Sequence, residues 1–143
     1  MTATLAGRFF NNALWLAGLG HFVILFASVQ VPYRLNWKQD LQSLQPFNRK
    51  LLWVQGAFTV LTIIAFGTLT LVLHTELLRG DRAAMALTCF IAVYWTARIL
   101  VDALYFSHGD WPKGHIFTIG HFLLTSLFIT LAVFYWALLV WHL

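Results

Sequence analysis

LLWVQGAFTVLTIIAFGTLTLVL, residues 51–73, runs without a single charged side chain. A helix needs about 20 apolar residues to cross the hydrocarbon core of a bilayer, and this stretch meets that length. Three more segments of the chain do the same. Residues 11–31 carry no Asp, Glu, Lys or Arg; residues 83–106 carry only Arg98 and Asp102; residues 116–141 carry His121 as their one titratable group apart from Tyr135. Between them lie polar, turn-rich gaps, and four crossings put both termini on one side. The sequence therefore predicts an all-α integral membrane protein: a four-helix up-down-up-down bundle forming one domain over residues 1–143.

Composition points the same way. Of the 143 residues, 60% are hydrophobic and 10% charged, against about 25% charged in soluble domains. A chain this short cannot hide that much apolar surface in its own core, so the bilayer takes it. The same composition excludes disorder. A single cysteine, Cys89, excludes an internal disulfide and a cysteine metal cage, and reads as an inert buried thiol. The net charge of +4 sits in short loops, where it suits anionic headgroups rather than nucleic acid.

The segment boundaries have local causes. Pro32 is expected to stop the first helix, Asn48 to cap the second, and Asp81, after Gly80, to cap the third; Gly109-Asp110 and Pro112 mark the last turn. The first span is too long for an ordinary signal-peptide core and reads as a retained helix. Between Pro32 and Pro46, the spacing of Trp37, Leu41 and Leu44 predicts a short helix lying in the membrane interface. Trp37, Trp53 and Trp111 collect toward one face and Trp136 and Trp141 toward the other, the pattern of an aromatic belt. Basic residues favour the first and third loops (Arg34, Lys38, Arg49, Lys50, Lys113) over the opposite side (Arg8, Arg79, Arg82). That bias places those two loops in the cytoplasm, and in a bacterium it would mean the inner membrane.

Polar groups in the spans fall at one depth. At about 1.5 Å rise per residue, His21, Gln55, Arg98, Asp102 and His121 all occupy the half of the membrane nearer the first and third loops. Each shares a helix face with other polar or small residues: Gly18, His21 and Ser28; Gln55, Thr59 and Thr62; Trp95, Arg98, Asp102 and Tyr105; Gly114, Thr118, His121 and Thr125. Arg or Asp at the bilayer centre costs about 2.5–3.5 kcal/mol. An inward polar cluster, with these groups as mutual partners, offsets that cost. His74, His108, His115 and His142 fall near loops or ends and read as headgroup-facing.

Gly-His-Phe recurs at 20–22 and 120–122. Helices one and four are neighbours in such a bundle, so His21 and His121 could supply two axial imidazoles to a b-type haem, with Arg98 on a propionate. No spacing of a metal-binding motif accompanies them. Three functions are consistent with these residues. A noncatalytic accessory or scaffold subunit of a larger membrane complex or homo-oligomer asks least of the sequence. Haem b and quinol electron transfer through His21 and His121 makes sharper use of it. Proton or small-solute transport through Arg98 and Asp102 is the third. A lipid-modifying enzyme finds no nucleophile constellation, since Ser28 and Ser107 stand alone.

Overall fold

The computed structural model describes residues 2–106, 109 and 112–143. Ser107, His108, Asp110 and Trp111, and with them most of the last turn and one belt tryptophan, lie outside the described residues. Six α-helices and no strand occur among the described residues. They are α1 (Thr2–Arg34), α2 (Trp37–Asp40), α3 (Pro46–Val72), α4 (His74–Arg79), α5 (Arg82–Leu104) and α6 (His115–Trp141), with a 3₁₀ turn at Leu41–Ser43 after α2. Four of them, α1, α3, α5 and α6, are long and apolar enough to span a membrane. The chain is an all-α multi-pass bundle, as its hydropathy predicts.

Two boundaries differ from expectation. Pro32 lies inside α1, which continues to Arg34. Proline removes one donor, the one that would reach the Ser28 carbonyl. So close to the helix end that loss leaves the last turn in place. Pro46 opens α3, so Gln45 is the capping position and Asn48 sits within the first turn. Proline suits that opening because its missing N–H has no intrahelical partner there. Asp81 does occupy the N-cap of α5, but its carboxylate bonds Arg79 at 2.9 Å rather than the helix backbone. Gly80 ends α4 with φ 75°, a left-handed turn that glycine adopts without penalty.

The bundle is two hairpins, α1 with α3 and α5 with α6, joined along one half of their length. In the first hairpin the backbones nearly touch. A Cβ on Gly67 would lie 3.2 Å from the Gly18 carbonyl oxygen, and one on Gly18 3.5 Å from that of Gly67. Paired small residues are how membrane helices approach closely enough to gain dispersion contacts. In the second hairpin, Trp95 stacks on Phe128 at 5.0 Å between ring centroids.

The buried core occupies only the half toward the termini and the α4 turn. It runs from Phe10 to Ile24 on α1, Ile63 to Thr70 on α3, Ala84 to Trp95 on α5 and Phe128 to Leu138 on α6. Leu77 on α4 closes its end, packed with Leu14, Ala84 and Leu138. Beyond Ile24, before Ile63, after Trp95 and before Phe128, no described residue of these four helices is buried. The hairpins therefore splay toward the first and third loops. α2 lies at that open end, its Trp37 ring against Gly56 and edge-on to Trp53 at 5.5 Å.

Candidate functional site

At the level where the bundle closes, His21 is fully buried. Its Nδ1 lies 2.8 Å from the Ala17 carbonyl oxygen, and the Trp95 indole Nε1 lies 3.0 Å from its Nε2. An indole N–H can only donate. Nε2 is therefore the acceptor, and Nδ1 carries the proton that goes to Ala17. The imidazole is neutral, and both of its nitrogens are engaged. Phe66, Trp95 and Tyr135 surround the ring at centroid distances of 5.9, 5.6 and 5.9 Å. One turn deeper, Thr70 and Tyr135 share a hydroxyl–hydroxyl bond of 2.7 Å between α3 and α6. These two bonds tie one hairpin to the other.

The other expected cluster members do not join His21. Gln55 is exposed on α3, and its amide makes no hydrogen bond among the described residues. Thr59 and Thr62, which share its face, bond the carbonyls of Gln55 and Phe58 in their own helix at 3.0 and 2.9 Å. Arg98 is exposed as well. It lies over the Phe128 ring at 5.6 Å and reaches into the gap between the hairpins; among the described residues no carboxylate pairs with it. Asp102 turns instead toward α6, with 10% of its side chain exposed. His121 Nε2 lies 3.7 Å from it and Thr125 Oγ1 3.4 Å. A single inward polar cluster is thus replaced by three separate environments: a dry tie, a cation in a gap, and a carboxylate between α5 and α6. The reason is the splay. Helices that diverge cannot bring side chains at equal depth to one axis.

The two histidines proposed as a haem pair do not meet. A Cβ on Gly20 would touch Leu127 and Leu131 of α6 at 3.6 and 3.8 Å. Those residues lie about 9 to 15 Å along α6 from His121. His21 would also have to surrender the Trp95 bond to offer Nε2 to iron. The donor set does not fit a bis-imidazole haem. No group of three metal-ligating side chains occurs among the described residues either.

A cavity of about 720 Å³ opens at the splayed end of the first hairpin. Its walls come from the last two turns of α1, from α2 and from residues 53–60 of α3; Arg98 is its one contribution from α5. Three further histidine and tryptophan side chains bond across elements. His142 Nε2 lies 3.0 Å from the Leu77 carbonyl oxygen, and His74 Nε2 3.0 Å from that of Asn11, so both help close the tied end. Trp136 donates to Thr96 Oγ1 at 3.0 Å, linking α6 to α5. Trp95, Thr70 and Tyr135 carry the ties, yet sequence reading gave them no role. The one available signal was Trp95, since a buried indole needs an acceptor and the same face of α5 carries Arg98.

No family model, curated protein or solved structure matches this chain.

Proposed function

We propose that this protein is a noncatalytic accessory subunit of a larger membrane assembly, held in the bilayer by its tied half and presenting its splayed half to a partner. Gln55 carries this reading. Its primary amide stands exposed on a spanning helix, about 6 Å into the uncharged run that begins at Leu51. An amide facing acyl chains forfeits its hydrogen bonds, whereas a neighbouring membrane helix with a polar side chain restores them. Among the described residues every buried side-chain nitrogen and oxygen already has a hydrogen-bond partner. The charge bias of the loops supports a cytoplasmic first and third loop, and an inner-membrane location in a bacterial cell.

A photo-crosslinking amino acid at position 55, in native membranes, tests this reading. The expected result is one discrete protein adduct, and co-migration of the chain with that protein in mild detergent, weakened by Gln55→Leu. Adducts to lipid alone, with a monodisperse 16.4 kDa chain indifferent to Gln55→Leu, would refute it.

A further inference from the structure

The cavity at the splayed end has a chemistry of its own. Val29, Val60, Trp37 and Trp53 supply its apolar and aromatic walls, Asn36 and Thr59 add polar groups, and two cations, Lys38 and Arg98, line it. Side chains on a helix lean toward its N-terminus. On α5 that direction leads inward, and the guanidinium does lie against Phe128, a core residue, rather than at the loop-side headgroups. About one turn further toward the tied end, Ile24, Ile63 and Trp95 are buried on α1, α3 and α5. No acidic side chain among the described residues neutralises the guanidinium. A guanidinium with no acidic partner favours an anion, and its planar fork suits a carboxylate or sulfonate.

We propose that this cavity binds one compact lipophilic acid: an anionic head on Arg98 and an aromatic or branched apolar body between α1, α2 and α3. The volume is that of an ordinary small-molecule site. The charge and the shape together select a single small amphiphile. This inference goes beyond the accessory reading, and it rests on Arg98 rather than on Gln55, so either can fail alone.

A pair of fluorescent probes with the same kind of apolar body tests it: 1-anilinonaphthalene-8-sulfonate, which is anionic, and N-phenyl-1-naphthylamine, which is neutral. Each is titrated into the full chain in zwitterionic nanodiscs, with empty nanodiscs subtracted, and read by energy transfer from tryptophan. The sulfonate is expected to saturate at one per chain and to bind at least tenfold more weakly to Arg98→Gln, with Arg98→Lys intermediate and the neutral probe unchanged. Ala57→Trp fills the cavity without touching Arg98 and is expected to abolish sulfonate binding. That variant keeps the test decisive if Arg98→Gln fails to fold. Sulfonate binding indifferent to Arg98→Gln, or surviving Ala57→Trp, would overturn the proposal. So would stoichiometric, Arg98-dependent displacement of the probe by phosphatidylglycerol in the disc, which would make the occupant a phospholipid.

Discussion

The Trp95 indole donates to His21 Nε2 at 3.0 Å, across the junction of the two hairpins and between two residues that are almost completely buried. Trp95→Phe keeps an aromatic ring but leaves part of the indole's space empty and a buried acceptor unsatisfied, the latter alone costing about 1–3 kcal/mol. In a double-mutant cycle with His21→Leu, the coupling should fall near the 0.6–1.7 kcal/mol typical of hydrogen bonds between membrane helices. Reversible unfolding in mixed micelles measures it. Strictly additive losses would mean that the two side chains do not act as a pair.

Thr70 and Tyr135 form the second tie. Tyr135→Phe should lower stability by about 1 kcal/mol, and Thr70→Val by a similar amount. The double variant should lose clearly less than the sum, because removing both partners leaves no orphaned hydroxyl.

Gly67 and Gly18 meet at the α1–α3 crossing but should respond unequally to alanine. A Cβ at Gly67 would lie 2.9 Å from the Phe22 ring, 3.1 Å from His21 Cβ and 3.2 Å from the Gly18 carbonyl oxygen. Two of those neighbours are fixed by backbone, so Gly67→Ala should cost about 1–3 kcal/mol through overpacking. A Cβ at Gly18 meets the Leu71 side-chain tip, which can rotate away. Thermal denaturation of the two variants should therefore rank Gly67→Ala as the more damaging, and the reverse order would argue against this crossing.

The bundle and its four crossings were legible because hydropathy over 51–73 and its sister segments is a long-range sum, insensitive to single residues. The depth of each polar residue was legible too, since position along a helix follows from rise. Lateral arrangement was not. Equal depth for His21, Gln55, Arg98 and Asp102 implies convergence only if the helices stay parallel, and nothing in a hydropathy profile reports that α1–α3 and α5–α6 diverge. The partner of His21 was hidden for a related reason. Trp95 lies on the same face of its helix as Arg98, and an indole among apolar residues adds to the hydropathy sum without marking its N–H as a donor to α1.

The haem reading makes a clear spectroscopic contrast. With both nitrogens of His21 engaged and His121 beside Asp102, reduced-minus-oxidised difference spectra of the purified chain should be flat in the Soret region. A band lost in both His21→Ala and His121→Ala would show that the two imidazoles do share an iron.

Carbene footprinting of the wild-type chain in bilayers, using a small lipid-soluble diazirine and residue-level mass spectrometry, asks whether the bundle is closed at one end and open at the other. A splayed bundle predicts labelling at Ser28, Val60, Arg98 and Leu104 and protection at Leu14, His21, Ile63, Trp95 and Tyr135. Protection that continues unbroken from Ile63 through Val60 and from Trp95 through Arg98 would mean that the four helices stay packed to the loop face, and would contradict it.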